Sequence, residues 1–126
     1  MAEPQSRSPV QNRIGVVFIP VSDMARAREW YGRLFGIDLG EPSHDGGICD
    51  IPMAGDAGLL LDGNRPVTEH SVQPLCFFWT DDMPATLAHL RALDAEIDSD
   101  VTDIGSVSFV RFRDPDGNLL MVCERN

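Results

Sequence analysis

The chain has 126 residues and 43% hydrophobic content, enough for one domain that buries roughly two thirds of its unfolded surface. Its 20 acidic against 10 basic residues give a formal net charge of −10 with no lysine at all, which excludes the clustered cations that phosphate and nucleic-acid binding require. No apolar run approaches the ~18 residues of a membrane span, and the opening MAEPQSRSPVQN has no apolar signal segment, so the sequence reads as a soluble cytoplasmic protein.

Residues 1–12, polar with two prolines, read as a disordered tail, and residues 13–126 as one domain. The β-branched stretch IGVVFIPV predicts a strand over about Ile14 to Val21. Ser22 or Asp23 then caps a helix over Met24 to Phe35, in which Ala27, Trp30, Tyr31 and Leu34 recur at helical spacing and Gly36 stops the run. Three short strands follow near Ile37 to Gly40, Gly47 to Met53 and Gly58 to Asp62, and GNRPVTEHSVQP (63–74) is a linker.

The same order then recurs. LCFFWT predicts a strand over Leu75 to Thr80, and Asp81 or Asp82 caps a helix to about Leu93. Strands follow near Glu96 to Val101, Val107 to Phe112 and Asn118 to Glu124, the last two joined by the tight-turn sequence Asp114-Pro115-Asp116-Gly117. Sliding the chain on itself by 59 residues superimposes Asp23-Met24 on Asp82-Met83, Leu34 on Leu93, Val16 on Leu75 and Leu60-Leu61 on Leu119-Leu120. The expected fold class is therefore α+β: two βαβββ repeats, about 14–62 and 74–124, forming curved mixed sheets around a cup with the helices on the outer face.

IPVSDMARAREWYGRLFGI (19–37) and FRDPDGNLLMVCE (112–124), together with the repeat, resemble the vicinal oxygen chelate superfamily of glyoxalase I, extradiol dioxygenases, fosfomycin-resistance enzymes and bleomycin-resistance proteins. The resemblance implies that metal-using members hold a divalent ion in the cup through His, Gln or Glu on the first and fourth strands of each repeat. The corresponding places here carry Val16, Leu75 and Met121, with Leu60 or Asp62 on the remaining strand. Apolar side chains do not supply the oxygen and nitrogen ligands such an ion needs, so no metal and no other cofactor is expected. The histidines His44, His70 and His89 read as surface residues, and the cysteines Cys49, Cys76 and Cys123 as small reduced hydrophobes. No catalytic constellation is recognisable from spacing.

Strand alternation sends Phe18, Phe77, Trp79, Leu119 and Cys123 to the same face as Val16, Leu75 and Met121, and leaves Val17, Ile19, Phe78, Leu120 and Val122 to pack beneath the helices. Arg111 stands where fosfomycin-resistance relatives place a cup tyrosine. The expected ligand-binding set is Phe18, Asp62, Phe77, Trp79, Arg111 and Met121, an aromatic pocket with few polar handles. The implied function is metal-free binding of a small molecule, an aromatic compound or, given the negative charge, a cationic one, such as an antibiotic. The alternative is a lyase, isomerase or dioxygenase of the same superfamily. A homodimer is expected, because each sheet leaves an edge and an apolar face to cover.

Overall fold

A computed structural model describes residues 8–64 and 72–126. Residues 8–12 are exposed and belong to no helix or strand, whereas 1–7 and most of the expected linker lie outside the described residues.

The first repeat comprises β1 (Val16–Pro20), α1 (Met24–Phe35), β2 (Ile48–Ile51) and β3 (Gly58–Asp62). The second comprises β4 (Phe77–Trp79), α2 (Met83–Ala92), β5 (Glu96–Ile97), β6 (Thr102–Asp103), β7 (Val107–Arg113) and β8 (Leu119–Arg125). One sheet runs β1-β3-β2, the other β4-β8-β7-β5 with β6 on β7, and neither closes on itself. In each repeat the first strand lies parallel to the last, β1 on β3 and β4 on β8. This is the expected α+β architecture.

Both helices begin on an aspartate that takes an orphan N–H. Asp23 accepts from Arg26 N at 3.1 Å, and Asp82, 59 residues on, accepts from Ala85 N at 3.0 Å. Gly36 ends α1 at φ +68°, a left-handed geometry that a side chain would strain. The last strands do not keep the helices' offset. Val21 N–H donates to Asp62 O and Thr80 N–H to Cys123 O, so Val21 matches Thr80 at 59 residues while Asp62 matches Cys123 at 61. Leu60 is therefore the counterpart of Met121, not of Leu119. An even shift leaves every side chain on its expected face.

The strand expected near Ile37 to Gly40 does not form. Ile37 N–H instead donates to Gly32 O at the end of α1, and the Arg28 guanidinium donates to Leu39 O and Gly40 O at 3.3 and 2.8 Å, which occupies the groups a ladder would have used. The strand expected over 96–101 is interrupted. Its register against β7 passes from Ile97–Phe112 to Thr102–Phe109, and within the gap Ser99 Oγ accepts the Arg111 N–H in place of a backbone carbonyl.

One core serves both repeats. Ile19 and Leu61 of the first sheet and Val110, Phe112 and Leu120 of the second are fully buried together, with Val17 and Phe78 packed against them. Helix α1 crosses between the sheets: Trp30 lies 6.2 Å from Phe112 and Phe35 meets Phe78 edge-on at 5.0 Å. The β7–β8 turn adds a polar tie. Buried Asp114 accepts from the Tyr31 hydroxyl at 2.6 Å, from Asn118 Nδ2 at 2.8 Å and from the backbone N–H groups of Asp116 and Asn118 at 2.9 Å. Asn118 Nδ2 also donates to Pro20 O at the end of β1.

Burial, reinforced by the Asp114 charge, holds the Tyr31 hydroxyl well above its ordinary ionisation range. Burial also raises Asp114, against four hydrogen bonds that lower it. Because the unfolded chain releases the tyrosine proton near the ordinary value of about 10 and the folded chain retains it, Tyr31 contributes stability that is complete below that pH and lost above it. Urea midpoints should fall from about pH 10 upward. They should fall less in Tyr31→Phe, which has no proton to lose.

Candidate functional site

Residues paired in register share a face, so β4, β8 and β7 carry two adjacent rows away from the core: Phe77–Met121–Arg111 and Trp79–Cys123–Phe109. Phe77 and Trp79 are 44% and 49% exposed, and their rings meet edge-to-face at 4.9 Å. Two large aromatic side chains half open to solvent on one strand form an unusual surface, of the kind that marks binding sites. Between them Phe78 turns inward to α1, as alternation requires. Met121 is half-buried beside Phe77, while Leu119 and Cys123 are buried although they share the face.

Arg125 belongs to this face too. Its guanidinium lies 3.8 Å from the centroid of the Trp79 ring, a cation–π contact. The sequence reading missed it, yet alternation carried one step beyond Cys123 finds it. Arg111, opposite Met121, has a buried Nε without a hydrogen-bond partner.

Of the six expected binding residues, strand pairing brings together Phe77, Met121 and Arg111, with Trp79 in the neighbouring row. It does not join Phe18 or Asp62 to them. Phe18 is 45% exposed on the other sheet, in the row Phe18–Leu60–Asp50. Asp62 is buried, and one carboxylate oxygen accepts the Asn64 N–H at 2.9 Å, a turn bond.

Two open grooves lie among the described residues, and Trp79 is the one residue of the aromatic rows that lines either. One, about 590 Å³, runs along α1 between Arg28, Glu29, Asp38 and Leu39. The other, about 350 Å³, lies between α1 and α2 over Phe35, Phe78 and Val122, with Trp79 and His89 among its walls. Among the described residues the second sheet presents Phe77 and Trp79 as a half-exposed aromatic platform, with Trp79 also walling the α1–α2 groove.

A family model, the Glyoxalase/Bleomycin resistance protein/Dioxygenase superfamily, matches residues 13–122. The chain belongs to this superfamily. Among solved structures, the antibiotic-binding protein TnmS3 from Streptomyces sp. CB03234 is similar at 24% identity with a TM-score of 0.75, covering 94% of this chain and all of that one. A glyoxalase/bleomycin resistance protein from Catenulispora acidiphila DSM 44928 is similar at 22% identity and a TM-score of 0.67, covering 88% and 96%. A glyoxalase/dioxygenase from Nostoc punctiforme reaches a TM-score of 0.72 at 16% identity, covering 100% and 97%. A search of curated sequences finds no match.

Among the described residues no three His, Cys, Asp or Glu side chains gather where an ion could be held. At the expected ligand places stand Val16, Leu75 and Met121, and the 61-residue offset puts Leu60, not Asp62, at the fourth. His89 Nε2 is engaged by the carbonyls of Arg33 and Leu34 at 2.8 and 3.0 Å, while His44 Nδ1 lies 2.8 Å from Ser43 Oγ; His70 lies outside the described residues. Nucleophilic chemistry at Cys76 and Cys123 is disfavoured as well. Burial pushes Cys76 up to about 11 and raises Cys123, so thiolate is scarce near neutral pH.

Proposed function

We propose that this superfamily member binds an aromatic small molecule on the open face of its second sheet and does so without a metal ion. The exposed Phe77–Trp79 pair carries the reading, because two rings held at right angles on a rigid strand offer stacking surface at little conformational cost. Met121 supplies an adaptable apolar floor beside them. The structural neighbour described as antibiotic-binding supports a binding role, and the apolar Val16, Leu75 and Met121 at the superfamily's ligand places, with no gathered donor set among the described residues, argue against a metal-dependent lyase, isomerase or dioxygenase. An aromatic guest is favoured over a cationic one, since the cations on the face, Arg111 and Arg125, would repel the latter.

The proposal includes a homodimer in which a second copy brings the exposed Phe18 of its first sheet toward a guest on this face. It also takes the cytoplasm as the site of action; no helix among the described residues is long and apolar enough to cross a membrane. Native mass spectrometry tests composition and assembly together. The expected species has twice the 13.9 kDa chain mass, no metal increment, and a small-molecule adduct released on mild activation. One divalent ion per chain would overturn the metal-free reading, and a monomer at micromolar concentration would overturn the dimer.

A further inference from the structure

Arg111 and Arg113 stand two residues apart on β7 and face the same side of the sheet. Their surroundings differ sharply. Arg113 has partners: Nη1 donates to Gly117 O at 2.8 Å, and longer ion pairs place Nε 3.9 Å from Glu96 and Nη2 3.6 Å from Asp98. Arg111 makes no side-chain hydrogen bond or ion pair with any described residue, although Asp98 is its neighbour across the strand through an Asp98 N–H to Arg111 O bond of 2.8 Å. Asp98 is thus committed to Arg113.

Among the side-chain nitrogens of Arg111 only Nε is both buried and unpartnered, which leaves the terminal pair facing outward. The one other buried, unpartnered Nε among the described residues, that of Arg28, belongs to a guanidinium already bonded to Leu39 O and Gly40 O. Arg111 therefore stands apart as a guanidinium already partly desolvated and without a partner, so that an acceptor meeting its terminal nitrogens displaces no existing bond. It lies in one row with Met121 and exposed Phe77.

We infer that the ligand of this face joins a planar ring, stacked on Phe77 and Trp79, to an anionic oxygen group such as a carboxylate, sulfonate or phenolate that docks on Arg111. The inference rests on the binding role proposed above and adds the chemical class of the guest. It also runs against the net charge of −10, which by itself would draw cations. Over a contact distance the local guanidinium governs, because exposed charges beyond a Debye length of about 8 Å are screened.

The experiment compares two dyes with the same ring system, 8-anilinonaphthalene-1-sulfonate and the uncharged N-phenyl-1-naphthylamine, titrated against the wild type, Arg111→Met, Arg111→Gln and Trp79→Ala. Loss of a charge-assisted hydrogen bond should weaken the sulfonate dye about tenfold in Arg111→Met and leave the neutral dye within about twofold. An unchanged near-UV circular dichroism spectrum shows that the variant is folded, and Arg111→Gln serves if the methionine variant is not. An unchanged ratio of the two affinities, whether both fall or neither does, overturns the assignment to Arg111 while leaving the ring platform standing. If neither dye binds the wild type, or both bind Trp79→Ala as tightly as wild type, the platform fails and the inference fails with it.

Discussion

Asp114→Ala is expected to destabilise the fold by about 3 to 5 kcal/mol, through stranded donors rather than lost apolar area. Four hydrogen bonds converge on the carboxylate: those from the Tyr31 hydroxyl, the Asn118 amide and the backbone N–H groups of Asp116 and Asn118. A buried donor left without an acceptor costs about 1 to 3 kcal/mol, and the part-buried Asp116 N–H is the one that water reaches most readily. The turn also anchors the second repeat to the first, through Asn118 on Pro20 O and Asp116 on Ser22 and Arg26. Asp114→Asn keeps the shape but presents an NH₂ group to at least one donor, so it should fall between wild type and alanine. Urea midpoints at neutral pH decide the matter, and a loss below about 1 kcal/mol for the alanine variant would show that solvent replaces the carboxylate.

The second large effect is on binding. Trp79→Ala should weaken an aromatic guest by about 1 to 3 kcal/mol, the order expected for losing a large apolar contact and a stacking partner. Stability should change little, since the ring is half exposed and its contacts are Phe77 and Arg125 on the surface. Trp30→Phe should show the opposite pattern. That indole is buried among Tyr31 and Phe112, so its loss is felt in the core and not by the guest. Isothermal titration beside denaturant unfolding separates the two cases.

These expectations depend on facings already legible in the sequence. Alternation correctly divided Val17, Ile19, Phe78, Leu120 and Val122 from Phe18, Phe77 and Trp79, because β-branched and aromatic runs bounded by turn formers fix a period of two. The caps, narrowed to Ser22 or Asp23 and to Asp81 or Asp82, and α1 from Met24 to Phe35 were legible for the same reason: their signals are local. What escaped was long-range. The segment Ile37 to Gly40 reads as a strand until Arg28, on the preceding helix, takes its carbonyls. The Asp-Pro-Asp-Gly turn announces itself, but nothing nearby reveals that Asp114 meets a hydroxyl 83 residues away. A fixed 59-residue offset matched Leu60 to Leu119, and only the hydrogen-bond register shows the last strand displaced by two. Likewise the sequence marks Arg111 as a strand residue beside the turn, whereas its lack of a partner emerges only when Asp98 is seen bound to Arg113.

The central claim is that the guest lies on the second sheet's open face. The two tryptophans, one on that face and one in the core, make it directly testable by the indole N–H signals of a ¹⁵N-labelled sample, assigned with Trp30→Phe and Trp79→Phe. On titration with N-phenyl-1-naphthylamine the Trp79 indole signal should shift and saturate along the binding curve while that of Trp30 stays in place. A saturating shift of Trp30 with Trp79 unmoved, or no movement of either at saturating dye, would contradict it.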